Sequence, residues 1–394
     1  MKKIQVLCSM LLVCLLIVQA QNISYYVKTT GVVTNTGLSW EQAIPLSKAL
    51  STAVSKDTIH IAAGTYKPVA TITGGSSSDI KDRTFEIAKN IALIGGYPAN
   101  ATTGAVANSE LYLTVFDGHF EISPTVEERL TTGTDLIGSI TSSSSYDLTS
   151  GVTAAEIAYI SKQGSPMKIF VFEIDLANPN LDLEVSTPDN QPAFKRQEMT
   201  VQATYEDQTG HKVIGGVNGD FFDMDNGTPQ GILYKNGVAI KETFYDATTT
   251  YFAITKDKKA IIAGQDMYAG IKSTIKEALG GRVWLVRNGS AVGSSSVLEP
   301  RTCAGVSADG LKVYFLVVDG RNPLYSIGMA YPDLSKIMKA LGSYNAINLD
   351  GGGSSTFFIR NSSNKFEMKN QPRSTPESPV TERAVANGLV IISK

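Results

Sequence analysis

The chain contains little histidine and cysteine, the residues on which much hydrolytic and metal chemistry depends. Its 394 residues include three of each, and two of the cysteines lie within the first 20 residues. No HExxH, CxxC or GxSxG sequence occurs, which argues against zinc peptidases and serine hydrolases of those types. A cysteine protease needs a histidine partner, and His60, His119 and His211 are the only candidates. We therefore interpret Cys303 as a small buried hydrophobe.

A surplus of positive charge is also absent. Lysine and arginine number 35 against 37 aspartate and glutamate, which gives a formal net charge of -2. Nucleic-acid binding needs clustered lysine and arginine, so we expect no nucleic-acid partner. A neutral or sugar-like ligand fits this composition better.

Long apolar runs are absent after the first 20 residues, which read MKKIQVLCSMLLVCLLIVQA. Lys2 and Lys3, the apolar run and the small Ala20 predict a secretory signal peptide over residues 1–20. A short anchor helix is the alternative, and Val13 before Cys14 argues against a lipoprotein. We expect a secreted, periplasmic or cell-surface protein with no integral membrane segment after cleavage, and with Cys303 as its single cysteine it can form no internal disulfide.

The first part of the mature chain, residues 21–122, combines one helical pattern with short β-rich runs. Helical spacing of apolar residues occurs over 39–54, and alternation follows in DTIHIAAGTY, RTFEIAKNIALIGGY and LYLTVFDG. These runs, punctuated by glycine, resemble the first coils of right-handed parallel β-helix proteins. Since a solenoid needs several coils to bury its core, we predict a small β-helix-like module that packs on its neighbour or serves as a spacer.

The remaining residues, 123–394, show longer strands and few helices. Strands are predicted at 168–176, 181–186 and in several later runs, with helices at 269–279 and 331–341. The serine run at 142–145 is interpreted as a loop, whereas KNG at 235–237 and SADG at 307–310 are typical of hairpin turns. The predicted fold is α+β and β-rich, a mixed sheet domain with flanking helices.

Three of these strands end in a carboxylate or amide beside glycine, at 213–231, 314–321 and 346–356. Such loops can line a ligand cleft at a sheet edge, although Asp-Gly and Asn-Gly pairs also form ordinary turns. The third loop reads LDGGGSST, and three successive glycines are more than a turn requires. We predict that Gly351, Gly352 and Gly353 expose backbone N–H groups to a phosphate, with Ser354, Ser355 and Thr356 adding hydroxyls.

No lysine follows those glycines, so the loop is not a Walker motif. Arg301, Arg321 and Arg383 all lie near these segments and are candidates for holding a phosphate. For each of them a solvated surface arginine is the alternative interpretation.

Taken in order, VNGDFFDM, VWLVRNGS, RTCAG, VVDGR, NAINLDGGGSSTFF and RAVANGLVI resemble the phosphodiester glycosidase family over roughly residues 125–394. The resemblance implies an enzyme that breaks the anomeric C–O bond of an α-linked N-acetylglucosamine on the phosphate of a sugar phosphodiester. It also implies that the site includes Asn218, Asp220, Phe221, Phe222, Arg301, Thr302, Asp319, Gly320, Asn348, Asp350, Gly351, Gly352, Ser354 and Arg383. The family often has glycine where Asp220 stands, so a purely local role for Asp220 stays open, and Cys303 replaces a more usual alanine.

This chemistry agrees with the residues present. A phosphate monoester is a weak base, so its departure needs little protonation, but an oxocarbenium-like transition state needs a carboxylate near the anomeric carbon. Asp350 is the first choice for that carboxylate, with Asp319 or Asp220 second. Arg301, Arg383 and the backbone of the glycine loop are predicted to hold the phosphate.

A divalent metal is the alternative way to hold the phosphate. Asp220, Asp223, Asp319 and Asp350 could supply oxygen ligands to magnesium or calcium, but their spacing matches no EF-hand loop. We therefore predict no required cofactor and keep Mg²⁺ or Ca²⁺ as a possibility. Residues 223–227, DMDNG, are interpreted as a solvated loop rather than a calcium turn.

The predicted function is an exported hydrolase whose partner is a glycan phosphodiester. Two alternatives stay open. One is a non-catalytic glycan-binding surface protein, and the other is a phosphodiesterase that breaks the P–O bond, which would more naturally use a dense metal cluster.

Overall fold

The computed structural model describes residues 22–71, 82–87, 89–118 and 124–394. The predicted signal peptide, Cys8, Cys14 and His119 lie outside the described residues. The chain divides into two compact units, residues 1–123 and 124–394. Within the described part, none of the helices combines the length and hydropathy that a bilayer span requires.

The N-terminal unit is built on short parallel ladders. Its elements are β1 Ser24–Val27, α1 Leu46–Thr52, β2 Thr58–Ala62, β3 Gly64–Tyr66, β4 Ala70–Thr71, β5 Arg83–Thr84, β6 Ala92–Tyr97 and β7 Thr114–Phe116. Strand β2 pairs in parallel with β1 on one side and β6 on the other, and β3 pairs in parallel with β7. Side chains on one face of β1 and β2, with those of α1, form a small core. That the unit is a β-helix-like module stays a prediction.

The helix predicted over residues 39–54 is wrong in its first half. Helix α1 begins after Pro45, which has an extended conformation (ψ 151°). Proline restricts the residue before it to extended conformations, and Ile44 accordingly forms a parallel bridge with Val27 instead of a helical turn.

The C-terminal unit contains three sheets and four helices across residues 124–394, all of which are described. In chain order the elements are α2 Val126–Gly133, β8 Ile137–Thr149, β9 Val152–Ser161, β10 Pro166–Asp175, β11 Leu181–Ser186, α3 Met199–Glu206, β12 Lys212–Asn218, β13 Leu233–Lys235, β14 Val238–Lys241, β15 Thr250–Thr255, β16 Ala260–Gly264, α4 Gln265–Ile271, β17 Ile275–Gly281, β18 Trp284–Arg287, β19 Ser290–Ala291, β20 Arg301–Val306, β21 Lys312–Val318, α5 Tyr331–Leu341, β22 Asn345–Asn348, β23 Phe357–Arg360, β24 Phe366–Met368 and β25 Gly388–Ser393. The α+β, β-rich prediction is confirmed.

An eight-stranded sheet in the order β19-β18-β22-β20-β21-β10-β9-β8 forms the centre of this unit. Alternate residues of a strand face opposite sides. In β10, Phe170 and Phe172 join the core shared with two five-stranded sheets, whereas Ile169 and Val171 pack in the core that contains α2 and α5. The five-stranded sheets have the orders β11-β25-β12-β23-β24 and β14-β13-β17-β15-β16.

The predicted helix at 331–341 is confirmed as α5. Leu334, Ile337, Met338 and Leu341 are buried on one face, and Gly342 ends the helix at φ 110°. Such a left-handed residue after a helix is usually glycine, because glycine lacks the Cβ that makes this conformation unfavourable.

The helix predicted over residues 269–279 is wrong. Helix α4 ends at Ile271, and residues 275–281 form β17 between β13 and β15. Leu279 packs in the core shared by the three sheets, whereas Ala278 packs in the core on the opposite face. Burial on both faces therefore outweighs the helical propensity of the segment IKEAL.

The serine run at 142–145 is not a loop, as we had predicted, but part of β8. Ser142 to Ser145 pair with residues 155–158 of β9. Strand β8 lies at the edge of its sheet, and its four consecutive serines are exposed. This part of the strand is therefore held by backbone pairing, whereas Ile137, Ile140, Tyr146 and Leu148 pack against the cores. The hairpin turns predicted at 235–237 and 307–310 are confirmed, since Asn236, Gly237 and Gly310 all have positive φ between paired strands.

Candidate active site

Asn218, the last residue of β12, connects two of the three predicted loops. Its side-chain N–H donates to the carbonyl of Asp350 at 2.7 Å. Its side-chain oxygen accepts from the Thr302 hydroxyl at 2.7 Å and from the Thr356 amide at 3.0 Å. Asn218 is fully buried, so these bonds fix strand ends from two different sheets against each other. The prediction that Asn218, Thr302 and Asp350 share one site agrees with this geometry.

Asp350 is the half-buried carboxylate of this cluster. Its backbone N–H donates to Gly219 at 2.9 Å, and its Oδ1 accepts from the Gly351 N–H at 2.9 Å. Burial raises the pKa of Asp350 to about 6, although hydrogen bonds from Ser354 and Gly351 and the charge of Arg383 act in the opposite direction. A carboxylate that titrates near neutrality beside an arginine is typical of functional sites.

Asp220 is a second carboxyl in the same cluster, and only 1% of it is exposed. Its Oδ2 accepts from the Gly231 N–H at 2.6 Å, whereas its Oδ1 has no hydrogen-bond partner among the described residues. Burial raises the pKa of Asp220 to about 7. The charge of Asp350 adds to the rise, and the Gly231 hydrogen bond and the charge of Lys241 oppose it. Two carboxyl groups therefore interact here, and Asp220 is the better suited to carry a proton near pH 7.

Asp319 is buried and fully engaged by protein donors. Its carboxylate accepts from the Gln371 N–H at 2.8 Å, from Asn370 at 3.1 Å and from the Tyr325 hydroxyl at 3.1 Å. Burial raises its pKa to about 6, against the effect of these donors. The structure thus brings Asp319 into contact with residues 370–371 and not with the Asp220 and Asp350 pair, which favours a positioning role over a catalytic one.

The three glycines after Asp350 leave room for protein groups. A Cβ at Gly353 would lie 2.5 Å from Nη2 of Arg383, and one at Gly352 would lie 3.2 Å from the guanidinium of Arg321. Gly352 also has φ 60°, a conformation that favours glycine. A Cβ at Gly351 would lie 2.6 Å from the backbone carbonyl oxygen of Pro300. A side chain at any of these positions would displace an arginine or a backbone segment.

The predicted cradle of backbone amides is largely absent, because those amides have protein partners. Gly351 N–H donates to the Asp350 carboxylate, Gly352 N–H donates to the carbonyl of Pro300 at 2.9 Å, and Ser354 N–H donates to Gly351 at 3.1 Å. The loop forms a short 3₁₀ turn rather than a row of free donors. Any anion at this site must therefore be bound mainly by side chains.

Arg383 and Arg321 are the arginines that the structure brings to the glycine loop. Arg383 donates to the Ser354 hydroxyl at 3.2 Å and to the Ser374 hydroxyl at 2.7 Å. Arg321 forms an ion pair with Glu299 at 2.7 Å and donates to the carbonyls of residues 373 and 374. Among the described residues the hydrogen bonds of Arg383 go to neutral hydroxyls, and its charge acts on the nearby Asp350 carboxylate. Gly320 precedes Arg321 and packs closely against Gly328. A Cβ at Gly320 would lie 2.8 Å from the Cα of Gly328.

Arg301 does not join this cluster, in contrast to its prediction as a phosphate ligand. It precedes Thr302 in β20, so their side chains face opposite sides of the sheet. Its guanidinium donates to the carbonyls of Met329 at 3.2 Å and Val297 at 2.9 Å, and it lies 4.3 Å from the ring centre of Tyr331. Arg301 is 8% exposed and stabilises the start of α5.

The two phenylalanines of the first loop have different positions. Phe222 is buried in a core cluster with Phe358 and is therefore structural. Phe221 is half-buried, and the guanidinium of Arg282 lies 5.6 Å from its ring centre. Arg282 also lies 4.4 Å from the ring centre of Tyr245 and donates to Gln230 at 2.8 Å. This stacked arginine at the rim of the cluster was missed, since it lies just before the motif VWLVRNGS and nothing in the sequence distinguishes it from a surface residue.

Two predicted residues contribute buried polar atoms without partners among the described residues. They are Oδ1 of Asn348 and the hydroxyl of Ser355, and both side chains are fully buried. The backbone of Asn348 accepts from Arg282 N–H at 2.9 Å. Unpaired buried polar atoms are rare and call for an explanation. Together with Oδ1 of Asp220 they concentrate in the segments around the carboxyl pair.

Sequence reasoning also missed Lys241 and Asn387. Lys241 donates to the carbonyls of Gln230 at 3.2 Å and Gly231 at 3.0 Å, and burial lowers its pKa although the charge of Asp220 raises it. Asn387 accepts from the Asp220 N–H at 2.9 Å. Asparagine beside glycine at 387–388 is the one signal that could have indicated Asn387.

The predicted aspartates do not form a metal cluster with one another. Across the described residues, the one group of three His, Cys, Asp or Glu side chains with ligand atoms within 4.8 Å is Glu184, Glu206 and His211. Lys235 forms an ion pair with Glu206 in that group. At 223–227, the Asp223 carboxylate accepts from the backbone N–H groups of Asp225 at 2.8 Å and of Asn226 at 3.3 Å, in an exposed loop.

Cys303 is free and fully buried, and burial raises the pKa of its thiol to about 12. A thiol with such a pKa is protonated at neutral pH and unsuited to nucleophilic attack. Its interpretation as a buried hydrophobe agrees with this position.

Part of this unit is similar to known proteins. Residues 211–392 match the family model described as phosphodiester glycosidase. N-acetylglucosamine-1-phosphodiester alpha-N-acetylglucosaminidase from Bos taurus is 26% identical over 163 residues, which is 36% of this chain and 30% of that protein. The Mus musculus protein of the same name is 26% identical over 164 residues, 36% of this chain and 31% of its own length. The chain thus spans about a third of the length of these relatives.

One solved structure that matches this chain is the catalytic domain of the zebrafish N-acetylglucosamine-1-phosphodiester alpha-N-acetylglucosaminidase, auto-inhibited by its pro-peptide. It has a TM-score of 0.48 and 20% sequence identity, and the match covers 64% of this chain and 87% of that one.

Proposed function

We propose that the C-terminal unit, whose residues 211–392 match the phosphodiester glycosidase family, hydrolyses the bond between a sugar and a phosphate in a glycan phosphodiester. The bond broken is the anomeric C–O bond, and the sugar is an α-linked N-acetylglucosamine, as in the names of the relatives. The reaction requires a carboxylate at the anomeric carbon and positive charge at the phosphate.

The observation that carries the proposal is the arrangement around Ser354. The Ser354 hydroxyl accepts from Arg383 at 3.2 Å, and both Ser354 and the charge of Arg383 act to lower the pKa of the Asp350 carboxylate. A negative and a positive group therefore lie near one serine, and we infer that they hold the two ends of a sugar phosphate. Asp350 is half-buried, whereas Asp220 and Asp319 are almost fully buried, so Asp350 is the carboxylate most open to a substrate.

In the proposed reaction, Asp350 stabilises the positive charge that develops on the sugar ring, as nucleophile or as base for a water molecule. Arg383 holds the departing phosphate and stabilises its charge, which replaces protonation by a strong general acid. Asp220, with its pKa near 7, holds a proton close to Asp350 and limits the negative charge in the buried site. Asn218 and Asp319 position the loops that carry these groups.

Two further parts of the proposal come from the sequence. The signal-like residues 1–20 support export, and the near-neutral composition supports a glycan rather than a nucleic acid as partner. A divalent metal is not needed for the proposed chemistry, since Arg383 supplies the positive charge.

The test is hydrolysis of an N-acetylglucosamine α-phosphodiester by the chain in oxygen-18 water. We expect the label in the sugar, because water attacks the anomeric carbon, and loss of at least 10³-fold in kcat in Asp350→Asn. Asp225→Asn is the matched control, because Asp225 is exposed in the same unit. Label in the phosphate would show P–O cleavage by a phosphodiesterase. Absence of turnover, with other sugars and added divalent metal as well, would favour the glycan-binding alternative.

A further inference from the structure

The outward face of the parallel ladder in the N-terminal unit carries a cluster of aromatic rings. Tyr26 of β1 and His60 of β2 are direct partners across the ladder. Their neighbours Tyr25 and Ile59 point to the core on the inner face, so Tyr26 and His60 point outward, where both are half-buried. On this outward face Tyr26 packs in a second small cluster built on Trp40, Ala62 and Ala101.

Four rings form this cluster. Tyr26 stacks on His60 with a centroid distance of 5.0 Å and an angle of 17°. Trp40 lies 4.9 Å from Tyr26 and 5.0 Å from Tyr97, and Tyr97 lies 5.4 Å from His60 at 79°. Each ring thus contacts two others, which keeps the set rigid. Trp40 is 4% exposed and forms the floor, and the other three rings are more open.

A pocket opens on this cluster, lined by nine residues that include no aspartate, glutamate, lysine or arginine. Its polar groups are neutral hydrogen-bonding groups. His60 Nδ1 bonds to the Tyr97 hydroxyl at 2.8 Å, and its Nε2 makes no hydrogen bond to the described residues. Burial lowers the pKa of His60, which keeps the imidazole neutral. Thr103 lies at the rim, where its amide donates to Glu41 at 2.9 Å.

We propose that this pocket binds a neutral sugar ring, which makes the N-terminal unit a glycan-binding module. A pyranose has an apolar face of C–H groups that fits against an aromatic ring, and an edge of hydroxyl groups that pair with neutral donors and acceptors. Uncharged lining residues disfavour phosphate, carboxylate and cationic ligands, because such ligands need an opposite charge when they are desolvated. This proposal is independent of the reaction assigned to the C-terminal unit.

The chain allows a direct spectroscopic test, because Trp40 and Trp284 are its only tryptophans. In the full chain carrying Trp284→Phe, all tryptophan emission comes from the floor of the pocket. The probes are methyl glycosides of glucose, galactose, mannose and N-acetylglucosamine, and their short oligosaccharides. We expect at least one to shift the emission saturably in the millimolar range, as is usual for a single sugar ring, and its oligosaccharide to bind at least as well. Sorbitol, a polyol without a ring face, is expected to cause no shift.

Variants separate binding from folding. Tyr26→Ala removes a stacking face and is expected to weaken binding more than tenfold. Tyr97→Phe keeps the ring but removes the hydroxyl bonded to His60, and is expected to weaken binding less. Val106→Ala is the matched control, since Val106 is 78% exposed in the same unit. Circular dichroism establishes whether each variant is folded. If Tyr26→Ala is not folded, the sugar affinity of Tyr97→Phe tests the proposal.

Three results would overturn the proposal. They are an emission that no probe sugar changes, a change that sorbitol reproduces, and sugar binding that is unaltered in both Tyr26→Ala and Tyr97→Phe.

Discussion

Replacement of Asp220 by asparagine should make the protein more stable at alkaline pH relative to the parent. Asp220 is 1% exposed, and Oδ1 has no partner among the described residues. Burial raises its pKa from the ordinary 3.8 to about 7. Asparagine can still accept the Gly231 N–H, which donates to Asp220 at 2.6 Å, but it does not titrate.

The sign and size of the effect follow from proton linkage. Between pH 3.8 and about 7 the folded parent keeps a proton on Asp220 that the unfolded chain has lost. Its free energy of unfolding therefore falls as the pH rises, by about 1.4 kcal/mol per pH unit and about 4 kcal/mol in total. Asp220→Asn lacks this loss. The buried amide of Asp220→Asn lacks a full set of hydrogen-bond partners, which lowers the free energy of unfolding of this variant by about 1–3 kcal/mol at every pH. The variant should therefore be less stable than the parent at pH 4 and at least as stable as the parent at pH 8.

Urea unfolding between about pH 4 and pH 8 measures this difference. In a Trp40→Phe background, Trp284 emission reports the C-terminal unit alone. Asp225→Asn is the control, because Asp225 is exposed, and its curve should run parallel to that of the parent. If the difference between Asp220→Asn and the parent is the same at all pH values, Asp220 does not hold a proton in the folded state, and its proposed role is wrong.

Three further outcomes are expected. Gly353→Ala places a Cβ 2.5 Å from Arg383 Nη2 and should raise KM for the phosphodiester about tenfold by moving that arginine. Gly270→Ala is the control, because Gly270 has open space around it, and its KM should equal that of the parent. A KM of Gly353→Ala equal to that of the parent would contradict phosphate binding by Arg383. The value of kcat/KM should fall tenfold per pH unit below about pH 6, because Asp350 must be ionised and its pKa is about 6; a pH–rate profile that stays flat to pH 4 would exclude Asp350 as the required carboxylate. Thr302→Val removes the hydroxyl that donates to the central asparagine and should lower the free energy of unfolding by about 1–3 kcal/mol, and an unchanged urea midpoint would show that this bond contributes nothing.

Local patterns predicted the elements whose signals are local. Helix α5 has an apolar stripe and a terminal glycine, and the hairpin at 235–237 has the Asn-Gly pair that its positive φ values require. Strand β17 was mistaken for a helix because its burial on two faces depends on sheets formed by distant residues. The serine run at 142–145 was mistaken for a loop because an exposed edge strand needs no apolar alternation.

In the candidate site, too, the sequence predicted the features that depend on local patterns and not those that depend on distant contacts. Strand ends followed by glycine indicated where Asn218 and Asp350 lie, and these residues are in direct contact. Sequence could not show that the amides of the glycine loop bond to protein acceptors, or that Arg321 and Arg383 lie against its glycines. Sequence placed Arg301 and Thr302 next to each other in one strand, but it could not show which of the two side chains faces Asn218, since that depends on how β20 packs against the other sheets. Arg282 was missed because its partners, Phe221 and Tyr245, are far from it in the chain.

The position of β25 has a consequence for the order in which the unit can form during synthesis. Residues 388–393 lie between β11 and β12 in the sheet but follow them in the chain by roughly 170 to 200 residues, so these two strands have no common partner until this segment emerges from the ribosome. The preceding residue, Asn387, accepts a hydrogen bond from the backbone N–H of Asp220. A ribosome-bound chain that stops short of residue 388 would therefore expose two unpaired strand edges and lack a supporting contact of the carboxyl pair. Activity should arise only after synthesis has passed this strand, and truncation before it should yield an aggregation-prone, inactive chain.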